Sequence, residues 1–331
     1  LVILLIVLIY LDDQGGLLPF QKLHAQTRAE PDSPLVPRVP PAVQVTPLPD
    51  DQATFTFRQR ELVRYHHGPQ TWRPFLYPVN GPSGQSLTRM GHPHDPHGHS
   101  HHNSVWIAHN DVDGHNFWSD RAAAGRIVHQ KVVGFEDGNE AATISTHNRW
   151  QLDIQTKMED YRRFRVQPLA SGESLIEIDV HLHAAGKPVT LGKTPFGLVS
   201  VRMAKSIGVH DGAGRIRNSE GGVNEAGVFW KQARWCDYSG AIAQGIVEGI
   251  TLMDHPGNVN HPTVFHVRDD GWMGSSLTFD GPRTIEPGSP LRLRYGLYVH
   301  AGLPSVQQLQ ARWEDFARTT TPEVLLPPKP R

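Results

Sequence analysis

The chain has 331 residues, with 32 Lys and Arg against 33 Asp and Glu, a net charge of -1, one Cys and 20 His. A balanced charge argues against a nucleic-acid binder, which carries a basic surplus. A single Cys leaves no intrachain disulfide framework and no Cys-rich metal centre. With 38% hydrophobic and 20% charged residues, the composition is that of a globular protein and too polar for several membrane spans.

In chain order, the apolar run from Leu1 to Leu11 comes first. Eleven residues are too few to cross a bilayer core of about 30 Å as a helix. The run matches the apolar core of a secretory signal with a cleavage site at Leu23-His24-Ala25; an uncleaved N-terminal anchor and a buried strand are the alternatives. Seven Pro between residues 31 and 50 favour polyproline II and predict a spacer. The expected organisation is a signal or anchor at 1–25, a Pro-rich linker at 26–50, a single domain at 51–318 and a Pro-rich tail at 319–331, with the protein periplasmic or extracellular.

Strand patterns dominate the domain. Ala53–Phe57, Ala142–Thr146, Leu175–Leu182, Thr263–Val267 and Leu291–Tyr298 alternate with period two, and Gly, Asn, Asp and Pro clusters separate them. Such alternation marks antiparallel strands with one buried and one wet face, so the chain is predicted to be all-β, a large antiparallel sandwich. One helix is predicted near the C-terminus. Val306, Leu309, Trp313 and Phe316 share a helical face, and Ser305 with Gln308 forms a capping-box pattern. This helix is expected at an edge or end of the sandwich. No glycine-rich phosphate loop follows a strand, which excludes a dinucleotide-binding fold.

Eight of the histidines fall between His92 and His115. The first half of this stretch, rich in Pro and Gly, reads as a loop, and Ser104–Ala108 as a short strand that His102 enters and His109 leaves. Imidazole is both a common metal ligand and a general acid or base near neutral pH. Three readings stay open: an exposed loop with adventitious metal affinity, a catalytic or substrate-binding loop, and a true metal site. The spacing matches no specific metal signature.

The motifs Arg73-Pro-Phe-Leu-Tyr-Pro78 and His101-His102-x-Ser104-x-Trp106-x-x-His109-x-Asp111-Val112-x-Gly114-x-x-Phe117-Trp118 open a longer series. It continues with Asn218-Ser219, Lys231-Gln-Ala-Arg-Trp235, Asp237-Tyr-Ser-Gly240, Asp254-His255-Pro256-x-Asn258 and Pro262-Thr263-x-x-His266-Val-Arg268. Across residues 70–305 the chain resembles a bacterial family that carries the label methane oxygenase PmoA. A methane-oxidising membrane subunit needs several apolar spans of about 20 residues, and this sequence has none, so membrane methane oxidation is rejected. The resemblance implies a two-sheet sandwich similar to the galactose mutarotase type and a place in carbohydrate catabolism. Asn103 stands where the family pattern has Arg, and the loop before it is enlarged, so that His92, His94, His97 and His99 read as local embellishment.

The catalytic candidates are therefore His102, His109, Asp111, Asp254, His255 and His266, all on matched motifs. Asp254 and His255 follow the apolar run Ile246–Met253 at a strand exit, where a carboxylate beside an imidazole suits proton movement; an Asp-initiated turn is the structural alternative. His266 lies mid-strand on a face shared with Val264 and Arg268, expected to be wet and groove-facing, with a satisfied structural His as the equal alternative. Substrate-binding candidates are Arg73, Trp106, Glu225, Lys231, Arg234, Trp235, Asn258 and Arg268, since aromatic faces stack on sugar rings and cations bind carboxylates. For Lys231, Arg234 and Trp235, an aromatic core with snorkelling cations is the rival reading. Cys236 is expected to be buried and inert. No cofactor is assigned, and a divalent metal stays open; if bound, it would use His102, His109 and one further His. The leading expectation is an exported enzyme using His and Asp or Glu as acid and base on a sugar or oxidised sugar, as an epimerase, lyase or hydrolase. The rivals are a non-catalytic carbohydrate-binding module and a His-ligated metal-dependent hydrolase or lyase. The sequence is silent on oligomeric state.

Overall fold

A computed structural model of the protein describes residues 39–92, 94 and 99–323. The signal or anchor at 1–25, His97 and most of the Pro-rich tail lie outside the described residues. The described residues from 41 onward form one compact unit. Two large sheets account for most of it. One has nine strands, in the order Val43–Leu48, Gln52–Phe57, Arg60–His66, Phe75–Val79, Val105–Ile107, Val199–Arg202, Trp272–Ser276, Val264–Arg268 and Lys231–Gln232. The other has eight, in the order Arg215–Asn218, Trp235–Ala243, Ile246–Asp254, Leu291–Ala301, Ser174–Ala184, Gln155–Pro168, Ala142–Leu152 and Arg126–Glu136. A two-stranded ribbon pairs Val189–Leu191 with Arg283–Ile285. The expected large antiparallel sandwich is what the chain forms, and among the described residues no helix is long and apolar enough to cross a membrane.

Strand alternation builds the core directly. In Ser174–Ala184, Ile176, Ile178, Val180 and Leu182 are buried and join residues of both sheets in one apolar cluster. The intervening residues, expected to be wet, are not. Glu177, Asp179 and His181 are also buried; cross-strand cations cover the two carboxylates, Arg165 lying 3.1 Å from Glu177 and Arg294 2.9 Å from Asp179.

The linker expected to run to residue 50 ends earlier. Val43–Leu48 is an edge strand paired with Gln52–Phe57, with Val43 and Val45 in the core. Pro47 is tolerated there because an edge strand has one side free of ladder bonds; its Pro-rich setting hid the strand. At the other boundary, Thr319 and Thr320 accept from Arg294, so the first tail residues still belong to the fold.

The C-terminal helix, Val306–Ala317, has the predicted capping box at Ser305 and Gln308. It does not sit at an edge or end. Leu309 and Phe316 pack with Trp235, Met253, Leu175 and Tyr298 on the outer face of the eight-stranded sheet. Gly296 makes this contact close: a Cβ there would lie 2.7 Å from Met253 Cε and 3.1 Å from Phe316.

Candidate functional site

Four neighbouring strands of the nine-stranded sheet build the floor of a cleft. Register places Trp106, Ser200, Gly274 and His266 side by side across them, with Arg202, Trp272 and Arg268 as the next row on the same face. The alternate residues Ile107, Val199, Val201, Met273, Phe265 and Val267 point into the core. Gly274 keeps the floor open, because a Cβ there would stand 2.5 Å from Ser200 Oγ. The cavity above has a volume of about 950 Å³. Its walls are the histidine loop (His99, Ser100, His101, His102), the segment Asn116–Arg121, Phe196, His210, Glu225 of the short helix Asn224–Val228, and the turn Asp269–Asp270.

Aromatic rings line the floor continuously. The His102 ring is stacked between His99 (4.6 Å) and Trp106 (4.9 Å) and lies 5.3 Å from Trp272. On the other side of Trp272, the His266 ring lies 4.0 Å away, with Phe229 and Phe196 at 4.9 and 5.2 Å. Trp118 closes the group at 5.9 Å from Trp272. It is aimed by Asn116, whose Oδ1 accepts from the Trp118 and Ser119 amides.

His102 and His266 are each 2% exposed. Nδ1 of His102 and the Trp272 indole N–H make no hydrogen bond within the protein, and the His266 ring has the Pro195 carbonyl as its backbone partner. Buried polar atoms are nearly always paired, and in this conformation these atoms are closed off beneath the aromatic floor. Burial holds the imidazoles neutral. It pushes His266 down to about 3, with Arg268 adding to the effect. Burial and then Arg73 bring His101 to about 4. His102 lies well below the usual range, through burial and then His101.

Two rim cations are paired with carboxylates. Arg268 donates to Glu225 at 2.5 Å and its guanidinium lies 4.4 Å from the Phe229 ring centre. The second Glu225 oxygen accepts from the Asp269 amide. Buried Arg202 donates to Asp270 at 2.8 Å.

The sequence candidates divide on this geometry. His102, His266, Glu225 and Arg268 line the cleft, and Trp106 lies stacked under His102. The face of His266 opens on the cleft, but the ring is buried rather than wet, enclosed by four aromatic neighbours. The others lie elsewhere. His109 Nδ1 accepts from the Asp111 amide and its Nε2 donates to Thr278, so both nitrogens are engaged in a buried turn. Asp111 accepts from Gly114 in that turn. A metal held jointly by His102 and His109 is not arranged here, and among the described residues no three His, Cys, Asp or Glu side chains are placed to hold one.

Asp254 accepts from Asn258, His261 and the Thr263 amide, and Asn258 also bonds the Arg294 backbone. His255 ties to Thr319 and Gly257. These three residues knot the strand exit to the tail and do not line the cleft. Trp235 is fully buried beneath the C-terminal helix, donating to Gln310. Arg234 pairs with Glu220 and lies over Trp313, and Lys231 is exposed on an edge strand.

Arg73 is a correction of another kind. Expected to meet substrate, it is buried, and donates to the His101, Trp118 and Ser119 carbonyls and to Asn103 Oδ1. It ties the histidine loop to the Trp118 segment. His99, read as embellishment, lines the cleft, stacks on His102 and lies 3.4 Å from Asp270. Sequence reasoning missed Trp272, Phe196, Asp120, Arg121 and Asp270. Asp120 and Arg121, just past the Phe117-Trp118 motif, and Asp270, two residues past Arg268, had a signal nearby.

The chain belongs to a family of unknown function, DUF6807, whose model matches residues 52–314. Nothing in that match supports the methane oxygenase label. No curated protein matches the chain. Among solved structures it is similar to a mutarotase-like protein, YeaD, of Salmonella typhimurium (10% identity, TM-score 0.34), covering 81% of this chain and 97% of that one. It is also similar to a GalM/aldose epimerase homologue from C. elegans (9% identity, TM-score 0.32, 79% of this chain and 99% of that one). A polysaccharide lyase aligns at 12% identity and TM-score 0.27 over 84% of this chain but only 35% of the lyase. TM-scores this low bear on neither substrate nor mechanism.

Proposed function

We propose that the protein is a carbohydrate-active enzyme, exported by its apolar N-terminal run, in which His102 and His266 exchange protons with a sugar or oxidised sugar lying on Trp118 and Trp272. One observation carries this reading: two buried imidazoles held neutral by burial flank Trp272 on the floor of an aromatic cleft. Indole faces suit the apolar faces of pyranose rings, and neutral imidazoles suit hydroxyls, donating at one nitrogen and accepting at the other. Burial that disfavours imidazolium in the free protein is offset when negative charge forms on a bound substrate, because a nearby anion raises the proton affinity of the ring. Proton transfer is thereby coupled to charge developing on the sugar, as epimerisation, elimination and glycoside hydrolysis all require.

The test is to incubate the protein with hexoses, hexuronates and their oligosaccharides and follow the products by NMR in deuterated buffer. Turnover is expected, with His266→Asn and His102→Asn each slowing it by about 10²-fold or more. Binding without turnover, insensitive to either substitution, would leave a non-catalytic binding module. Absence of both binding and turnover across the panel overturns the carbohydrate reading.

A further inference from the structure

Trp230 is exposed to 47%, unusual for a tryptophan among the described residues, whose other large buried rings include Trp106, Trp150 and Trp235. It follows Phe229, the C-cap of the short helix Asn224–Val228, and its backbone is left-handed, with φ 56°. That conformation suits Gly or Asn at a helix end and is strained for a bulky side chain. The Trp230 amide donates to the Phe265 carbonyl, on the strand that carries His266. The indole is thus held beside the cleft: its ring stacks on Phe229 at 4.4 Å, lies 6.2 Å from His266 and has Phe279 at 5.6 Å. An exposed indole therefore stands beside the floor formed by Trp272 and His266, its plane turned 72° from the His266 ring.

The size of the cleft agrees. About 950 Å³ stands at the upper end of the roughly 300–1,000 Å³ typical of drug-sized ligands, and is more than one hexose ring needs. Arg268, beside Trp230's neighbour Phe229, is fixed by Glu225 and leaves 44% of its side chain exposed at the same rim.

We infer that the cleft takes a glycan of at least two rings, the first over Trp272 and His266 and the second stacked on Trp230. This rests on the carbohydrate reading above and names its substrate class, an oligosaccharide or glycoside rather than a free monosaccharide. Trp230 is then a specificity residue, and its strained backbone is what presents the ring to the second sugar.

The experiment is calorimetric titration of the full chain with glucose, galactose, glucuronate and galacturonate and with their di- to pentasaccharides. In the series that binds, affinity is expected to rise about tenfold from one ring to two, the scale of one aromatic stacking contact. Trp230→Gly, which relieves the backbone, is expected to abolish that rise, the loss of affinity falling chiefly on the ligands of two or more rings; Trp230→Phe is expected to restore part of it. Equal affinity for one and two rings in the wild-type protein, or a gain with length that survives both Trp230→Gly and Trp230→Ala, overturns this inference alone. Failure of every sugar to bind overturns it together with the carbohydrate reading.

Discussion

Arg73 shows how a charged residue on a recognisable motif can serve the site without touching ligand. Its guanidinium is buried with four acceptors around it, three of them backbone carbonyls from two wall segments of the cleft. Burial lowers its proton affinity to about 10, which still leaves it charged at neutral pH. Removing it strands several buried acceptors, and each costs about 1–3 kcal/mol. Arg73→Ala is therefore expected to lose at least about 3 kcal/mol of stability in urea denaturation. Arg73→Lys is expected to recover only part of this, since a single ammonium cannot span carbonyls on two segments. A loss under about 1 kcal/mol for Arg73→Ala would show that the walls hold together without it. His109 and Asp111 teach the same lesson: both lie on the strongest motif, and both spend their polar atoms on a turn.

At the scale of elements, the C-terminal helix and the cleft belong to different sheets and separate cleanly in their consequences. The helix is started by the Ser305 capping box and held by Leu309 and Phe316. Ser305→Ala is expected to cost about 1 kcal/mol. Phe316→Ala is expected to cost about 3–5 kcal/mol, because its ring fills the space that Gly296 leaves over the sheet. Chemical denaturation of the two variants measures both, and neither is expected to change sugar affinity at temperatures where it stays folded. A change in ligand affinity with Ser305→Ala would mean that the helix communicates with the cleft. The helix itself was legible in the sequence, because its cap and its apolar face are local patterns. Its seat was not, because the outer face of a sheet becomes a docking surface only once Leu175, Trp235, Met253 and Tyr298 are brought together from four strands.

Across the molecule, burial disfavours the charged form of many histidines. Burial brings His101, His109, His129 and His181 to about 4 and His266 to about 3. Each falls below the value of about 6.5 that a free imidazole has in the unfolded chain. Below pH 6.5 the unfolded chain therefore binds protons that the folded one refuses, and stability drops as pH falls from about 6.5 toward 4, while above 6.5 these groups exert no pH dependence. Asp237 acts in the same direction: burial opposes its charge, but His300 and Arg217 outweigh that and hold its carboxyl below the usual range. The urea midpoint is expected to fall steadily between pH 7 and pH 5, and His266→Asn is expected to flatten that slope. A midpoint that is constant or rises on acidification contradicts the assignment of neutral buried imidazoles. At this scale the sequence by itself determined the class of fold, since alternation, turn residues and the absence of phosphate loops are local properties of an antiparallel chain. It also supplied the chemistry, many imidazoles and one inert, buried thiol. Only the tertiary structure decided which imidazoles share a cleft. His102 and His109 are seven positions apart and serve different ends, whereas His102 and His266 come from distant segments and flank one indole. The reason is register: the pairing of Trp106 with Ser200, of Ser200 with Gly274 and of Gly274 with His266 is a long-range match between strands, and no local pattern within any one of them encodes its partner.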